Sequence, residues 1–273
     1  MKSLEAKDVR FSYDDKLILN DLTVTIPKGK ITVFIGGNGC GKSTLLRTMA
    51  RLLKTEKGMI LLDGEDISTR KTKDIAKQMS ILPQGPSAPE GLSVEQLVKQ
   101  GRYPHQSFLK QWSLEDEKMV SKALRATGMT EHALSAVDEL SGGQRQRAWI
   151  AMTLAQGSDT LLLDEPTTYL DMSHQIDVLD LLYELNEKEQ RTVVMVLHDM
   201  NLACRYAHHL VAMRNKTIYD AGAPDDIMTK KMVRDVFNME CMITNDPIFG
   251  SPMVIPHGKG RMADESSIRA KAK

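Results

Sequence analysis

Short apolar runs of strand length recur along the chain and are separated by longer stretches with helical periodicity. The run Thr192–Leu197 is almost continuously apolar, as is Ile31–Ile35, which is typical of parallel strands buried on both faces. Leu22–Ile26 instead alternates apolar and polar residues and ends at a Pro-Lys-Gly-Lys turn, which indicates an antiparallel strand. Four further strands are predicted at Met59–Leu62, Met79–Leu82, Thr160–Asp164 and Leu210–Met213.

Helical spacing of apolar residues fills the intervals between these strands. A helix is predicted over Lys42–Leu52 and another over Arg147–Leu154. Ser93 is placed to cap a helix that runs to Gln100, and Ser113 with Asp116 to cap one that runs to Thr127. Because residues 85–91 read GPSAPEG, which breaks regular structure, we expect an α/β core with a helical insert at about 85–155.

The C-terminal part of the chain has a different pattern. One helical stretch follows residue 230, and residues 241–256 read CMITNDPIFGSPMVIP, which resembles a hairpin. The last fifteen residues are polar, and we expect them to be mobile. The sequence therefore predicts a main domain over residues 1–240 and a short extension over 241–273.

Composition and charge restrict the class of protein. The chain has 273 residues with 41% hydrophobic content, enough for a sizeable core, and 36 basic side chains balance 36 acidic ones. The zero formal net charge gives no electrostatic footprint for nucleic acid, so no nucleic-acid partner is expected. No signal peptide and no apolar segment of membrane-spanning length is visible, and the three cysteines are far apart. These features predict a reduced cytoplasmic protein.

One glycine-rich segment has the full spacing of a phosphate-binding loop, GxxxxGK[ST]. It lies between a predicted strand and a predicted helix, which favours a phosphate site over the alternative of a simple Gly-rich turn. The backbone N–H groups of such a loop bind phosphate oxygens, Lys42 would meet the β- and γ-phosphates, and Ser43 would ligate Mg²⁺. The candidate nucleotide-binding residues are Gly36, Gly37, Asn38, Gly39, Cys40, Gly41, Lys42, Ser43 and Thr44.

Two carboxylates follow the apolar strand at 160–163. Asp164 is suited to hold Mg²⁺ through its water shell, and Glu165 is a candidate general base for an attacking water. The alternative is a solvated acidic pair at a strand end. Since ligands of open α/β sheets bind at the carboxyl ends of the strands, the intact phosphate loop favours the catalytic interpretation.

A second run with a hydroxyl and two glycines precedes another predicted helix. Ser141, Gly142, Gly143 and Gln144 begin the sequence SGGQRQR and would form a second anion-binding helix terminus. An ordinary glycine-rich cap is the alternative. Because the first loop already binds its own phosphates, we expect this second site to serve a nucleotide held by another copy.

These motifs, in this order, resemble the ATP-binding subunit of an ABC transporter over nearly the whole chain. The resemblance implies a P-loop NTPase core of the α/β class with an antiparallel β subdomain and a helical insert. It further implies that Tyr13 stacks on adenine, that Gln84 senses Mg²⁺ and the γ-phosphate, and that His198 contacts the γ-phosphate. Leu170-Asp171 corresponds to the D-loop of the family. Gly37 stands where the family usually has proline, and Thr160 stands where it often has an apolar residue.

The resemblance also implies partners and cofactors. ATP and Mg²⁺ would be clamped in a head-to-tail dimer between Lys42 of one copy and Ser141–Gly143 of the other. The dimer would dock on integral membrane permease subunits at the cytoplasmic face of the membrane and serve, indirectly, a substrate-binding protein. The runs GRYPH (Gly101–His105) and EPTTYLD resemble importers of ferric siderophores, with haem and cobalamin importers close by.

Two other classes of function stay open at this point. One is a soluble single-cassette ABC ATPase for cofactor assembly, and the other is a non-catalytic nucleotide-binding scaffold. Intact Lys42, Glu165 and His198 argue against the scaffold. No metal other than Mg²⁺ is expected, because the adjacent His208 and His209 are predicted to lie on a surface helix.

Overall fold

The computed structural model describes residues 2–107 and 112–259, and the predicted mobile tail lies, from residue 260 onward, outside this part of the chain. The strands are β1 (Lys2–Tyr13), β2 (Lys16–Pro27), β3 (Ile31–Gly36), β4 (Lys57–Leu62), β5 (Glu65–Asp66), β6 (Met79–Leu82), β7 (Thr160–Leu163), β8 (Thr192–Val196), β9 (His209–Arg214), β10 (Thr217–Gly222), β11 (Cys241–Asn245) and β12 (Pro252–Pro256). The helices are α1 (Lys42–Met49), α2 (Thr72–Ala76), α3 (Val94–Gln100), α4 (Leu114–Ala126), α5 (Gly142–Ala155), α6 (Met172–Glu189), α7 (Met200–Tyr206), α8 (Pro224–Ile227) and α9 (Lys230–Phe237).

A central sheet has the order β10-β9-β3-β8-β7-β6. Strands β9, β3, β8, β7 and β6 are mutually parallel, and β10 returns antiparallel to β9. Strands β3, β7 and β8 are buried along their whole length, as their continuous apolar runs predict. Parallel strands end at the same edge, so the loop after β3, the carboxylates after β7 and the histidine after β8 lie at one edge. The predicted α/β fold is confirmed.

A second, antiparallel sheet has the order β2-β1-β4-β5. Its apolar face, with Leu4 and Phe11, packs in one cluster with Leu45 and Leu46 of α1 and with Val211 of β9. Helix α1 therefore lies between the two sheets, and both sheets fix the position of the loop that precedes it.

Helices α3, α4 and α5 pack on one another and share a core with the parallel sheet. Each of them begins with a capping box, in which a serine side chain and the side chain three residues later bond each other's backbone N–H. The three pairs are Ser93 with Gln96, Ser113 with Asp116, and Ser141 with Gln144.

Two local predictions differ from the structure. Helix α1 ends at Met49 rather than at Leu52, because Arg51 adopts a left-handed φ of 60°. The Leu52 N–H then bonds the Arg47 carbonyl and the Arg51 N–H bonds the Thr48 carbonyl, which is a Schellman termination.

The histidine pair does not lie on a surface helix, so that prediction is wrong. His209 begins β9, and His208 Nδ1 accepts a hydrogen bond of 3.2 Å from the Ile31 N–H. The ring of His208 thereby satisfies a backbone donor at the first residue of β3, a long-range contact that the local pattern does not reveal.

Strands β11 and β12 form an antiparallel hairpin that packs on α7. The Asn201 side chain donates to the Val254 carbonyl at 3.2 Å and accepts from the Val254 N–H at 2.8 Å. Arg205, four residues later on the same helix, pairs with Asp246 at 2.7 Å. The hairpin is thus attached to the helix that begins two residues after His198.

Candidate nucleotide site at the edge of the parallel sheet

The loop between β3 and α1 is shaped by close backbone contacts that only glycine permits at two positions. A Cβ at Gly36 would lie 2.4 Å from the Met213 carbonyl oxygen, and one at Gly41 would lie 2.9 Å from the Leu19 side chain. Both glycines also adopt positive φ, of 148° and 107°. Close contacts with β9 and β2 therefore fix the backbone of the loop and the positions of its N–H groups.

Lys42 is the first residue of α1, and its side chain curls back over the loop. Its ammonium donates to the carbonyls of Gly36 at 2.8 Å and Gly37 at 3.0 Å, and the residue is only 6% exposed. Within the described residues no carboxylate lies within salt-bridge distance of this ammonium. A buried cation beside backbone donors is suited to a polyanion.

Asp164 follows β7 and is fully buried. Its Oδ2 accepts from the Arg47 guanidinium, at 3.2 Å from Nε and 3.1 Å from Nη2. Its Oδ1 has no hydrogen-bond partner in the described part of the chain. An orphaned buried carboxylate oxygen on a residue held by Arg47, in the helix that follows the phosphate loop, has the chemistry that Mg²⁺ or a water bound to it requires, so the residues present fit that ion.

Glu165 lies next to Asp164, with a positive φ of 54°, and its carboxylate collects three contacts. Gln84 Nε2 donates to it at 2.7 Å and Thr168 Oγ1 at 2.9 Å, and His198 Nε2 lies 2.8 Å from Oε1. Burial alone would raise the pKa of Glu165, but the hydrogen bonds from His198 and Thr168 and the charge of Lys42 hold it below its ordinary value. Glu165 is therefore ionised at neutral pH, as a general base must be.

The phosphate loop, Lys42, Glu165 and His198 border one cavity of about 250 Å³ at the carboxyl edge of the sheet. A larger cleft between the end of α1 and β4 lacks the phosphate loop, Glu165 and His198, so the chemistry selects the smaller cavity. The predicted site residues that line it are Asn38, Gly39, Gly41, Lys42, Ser43, Thr44, Glu165 and His198. Sequence reasoning missed three others, Lys16, Ile18 and Lys216, and the contact of Thr168 with Glu165.

The other predicted site residues do not line this cavity: Gly36, Gly37, Cys40, Gln84, Asp164, Tyr13 and Ser141–Gln144. Tyr13 is 44% exposed and packs edge-to-face on Phe11, with ring centroids 4.8 Å apart. The Ser141–Gln144 segment caps α5, and a Cβ on Gly143 would lie 2.4 Å from the His174 ring at the start of α6. A single chain therefore does not bring this second glycine motif to its own phosphate loop.

The run Gly101–His105 anchors the far end of α5. A Cβ at Gly101 would lie 2.2 Å from the Met152 carbonyl oxygen, so the backbones touch there. Arg102 is buried and donates to Asp116 Oδ1 and to the Ala155 carbonyl, both at 2.8 Å. His105 Nε2 lies 2.7 Å from the Gln156 carbonyl oxygen. This run therefore fixes the C-terminal end of the helix whose N-terminus carries the second glycine motif.

The search for a bilayer-crossing helix among the described residues finds none with the necessary length and apolar character.

Comparison with known proteins is consistent across sequence and structure. A family model described as ABC transporter matches residues 19–168. The chain is 66% identical over 260 residues to the petrobactin import ATP-binding protein FpuD of Bacillus anthracis, covering 95% of each chain. It is 63% identical over 261 residues to the probable siderophore transport system ATP-binding protein YusV of Bacillus subtilis (strain 168), covering 96% of this chain and 95% of the relative.

Among solved structures, one described as an inward-facing metal-chelate type ABC transporter superposes with a TM-score of 0.82 at 27% identity. The match covers 95% of this chain and 99% of that one.

Proposed function

The chain belongs to the ABC transporter family of ATP-binding proteins, and from that premise we propose that it is the ATP-hydrolysing subunit of an importer for iron(III)–siderophore complexes. The observation that carries the proposal is the high identity, 66% and 63% over almost the whole chain, to two relatives named for petrobactin import and siderophore transport. The GRYPH and EPTTYLD runs support the same branch.

The phosphate loop binds the polyphosphate of ATP in this proposal. Loop amides and the Lys42 ammonium meet the β- and γ-phosphates. Ser43, Gln84 and Asp164 would hold Mg²⁺, and the ion when bound would neutralise charge on the phosphates. Tyr13, on β1, supplies the aromatic face for adenine.

Hydrolysis requires a base close to the γ-phosphate. Glu165 accepts a proton from the attacking water, since its carboxylate is held ionised by the contacts described above. His198, 2.8 Å from that carboxylate, orients it and meets the γ-phosphate. Gln84 and Thr168 also donate hydrogen bonds to the Glu165 carboxylate.

A second copy completes the site. Ser141–Gly143 of one chain close over the nucleotide bound to Lys42 of the other, in a head-to-tail dimer. The pair docks on separate permease subunits at the cytoplasmic face of the membrane, and the permease receives cargo from a substrate-binding protein. Cargo does not touch this chain.

The proposal is tested by uptake in a strain that lacks the gene. Uptake of ⁵⁵Fe bound to petrobactin or another siderophore should fall to background and return with the wild-type gene. A gene encoding Lys42→Ala should not restore it, because the variant loses nucleotide binding. Lys28→Ala, which removes an exposed lysine paired with Asp63, is the matched control and should restore uptake.

Other outcomes point to the alternatives. Normal uptake of every ferric siderophore with a defect for haem or cobalamin would assign the chain to those importers. Normal uptake of all three, with ATPase activity recovered only from soluble fractions, would favour a single-cassette ATPase of cofactor assembly.

A further inference from the structure

The tight turn between β9 and β10 contains a residue that its backbone disfavours. Arg214 pairs with Thr217, which leaves a two-residue turn of Asn215 and Lys216. Both residues have positive φ, 49° and 69°, the geometry of a type I′ hairpin turn. Asparagine tolerates that conformation, and glycine is the preferred second residue. Lysine at the second position carries the strain of a left-handed backbone.

The packing of the turn does not explain the lysine. The Lys216 carbonyl accepts a hydrogen bond of 2.9 Å from the Asn20 N–H, a contact that glycine would make equally well. Within the described residues the Lys216 ammonium has neither a hydrogen bond nor an ion pair. A disfavoured backbone conformation supports the hypothesis that the side chain has a function, and within the described residues no partner occupies this ammonium.

Lys216 lines the cavity of the phosphate loop and is partly buried there. Strand β9 runs beside β3, with Met213 paired to Gly36, so the turn emerges next to the loop. In the sheet order, β9 and β10 lie on one side of β3, and β8 and β7 lie on the other. His198 and Glu165 follow β8 and β7, so Lys216 flanks the loop on the side away from them.

We propose that Lys216 is a nucleotide-binding residue whose ammonium contacts the phosphates that ADP and ATP share, and not the γ-phosphate. The inference rests on the proposed function, because it assumes that the loop binds a nucleotide. A second cation, Lys16 at the first residue of β2, lines the same cavity with no hydrogen-bond or ion-pair partner among the described residues, and it adds to the positive potential there.

Three variants test this inference by equilibrium binding of ATP and of ADP. Lys216→Gln keeps the length of the side chain and removes the charge, and Lys216→Gly also removes the strain. Asn215→Gly is the matched control, because it changes the same turn at a residue that does not line the cavity. We expect both Lys216 variants to bind ATP and ADP about three- to tenfold more weakly, as for loss of a partly exposed charge contact. Asn215→Gly should bind like wild type.

Thermal unfolding without nucleotide supplies the second readout. Lys216→Gly should raise Tm by about 1–3 °C, since glycine accepts positive φ without strain. Weaker binding in a more stable protein is a result that a purely structural role for Lys216 would not give. The affinity difference between wild type and Lys216→Gln should also shrink as salt is raised.

Unchanged affinity in both Lys216 variants would overturn the inference. So would a loss confined to ATP, which would place the ammonium at the γ-phosphate. Failure of the assumption taken from the proposed function, that the loop binds a nucleotide, has a different signature: the wild-type protein and all three variants would then bind neither ATP nor ADP.

Discussion

Removing the Arg102 side chain should destabilise the fold strongly, because it leaves a buried carboxylate without its counter-charge. The Arg102 and Asp116 side chains are 5% and 4% exposed, and their ion pair measures 2.8 Å. Arg102 also donates to the Ala155 carbonyl at 2.8 Å, at the end of α5. Arg102→Met keeps much of the apolar volume of the side chain. The expected loss of stability therefore comes from the missing charge and its hydrogen bonds.

The expected size follows from these contacts. Breaking a buried ion pair on one side costs about 3–5 kcal/mol, which lowers Tm by roughly 6–20 °C in a chain of this size. Arg102→Met/Asp116→Asn should regain about 1–2 kcal/mol of that loss, because asparagine is neutral yet can still accept the Ser113 N–H bond of the capping box.

The destabilisation caused by Arg102→Met should depend on pH, because the charge of Asp116 does. Burial alone would raise the pKa of Asp116, but hydrogen bonds from Ser113 and Arg102 hold it below its ordinary value of 3.8. The ion pair therefore stabilises the fold above pH 3.8 and loses its effect as the pH falls through the lowered pKa. The stability difference between wild type and Arg102→Met should accordingly narrow under acid conditions, where Asp116 becomes neutral.

Urea unfolding at pH 7 gives the free energy of unfolding of wild type, Arg102→Met and Arg102→Met/Asp116→Asn, with Lys28→Ala as a surface control. A loss below about 1 kcal/mol for Arg102→Met, or a double variant less stable than the single one, would refute the reasoning.

Four further outcomes follow from the site. Glu165→Gln should slow hydrolysis about 10²–10⁴-fold and yield an ATP-dependent dimer in size-exclusion chromatography; a monomer would argue against Glu165 as the base. Ser141→Arg should stop hydrolysis while the isolated chain still binds ATP in a fluorescent-nucleotide assay, and hydrolysis at the wild-type rate would contradict the two-copy site. N-ethylmaleimide should modify Cys40 and block ATP binding, and ATP should slow the reaction, because Cys40 lies in the phosphate loop, is 9% exposed and has the Lys42 ammonium 3.9 Å from its sulfur, whereas Cys204 is 3% exposed and burial raises its pKa to about 12, which keeps that thiol unreactive in peptide mapping. Glu95→Lys, which breaks a 2.6 Å pair with Lys99, should lower transport more than ATPase activity, because we expect the segment from Gln84 to His105 to couple nucleotide binding to the permease; the swap Glu95→Lys/Lys99→Glu restores the ion pair and so separates an effect of surface charge from misfolding.

The strands of the parallel sheet were predictable because burial on both faces leaves an uninterrupted apolar signature. The loop after β3 and the carboxylates after β7 were predictable for a related reason: their chemistry depends on local spacing. Helix ends were less predictable, as Arg51 shows, since a residue that disfavours left-handed φ terminates α1 there.

Contacts between distant segments were not predictable from local pattern. His208 bonds Ile31, 177 residues away, and Arg102 bonds Ala155, 53 residues away. Lys216 reaches the phosphate loop only because β9 lies beside β3 in the sheet. Each of these contacts is set by strand order or helix packing, which the one-dimensional sequence does not display.

The capping box of α5 restricts which residues evolution can place at position 141. The Ser141 hydroxyl accepts the Gln144 N–H at 3.3 Å and still has its own hydrogen, which in the proposed two-copy site it donates to a phosphate bound by the other chain. Aspartate would cap the helix as well but would repel the phosphate, and alanine would lose both interactions. Serine and, with more crowding, threonine are the common side chains that can both cap the helix and donate to a phosphate. Helix capping and the proposed catalytic role therefore restrict the residues allowed at position 141 together.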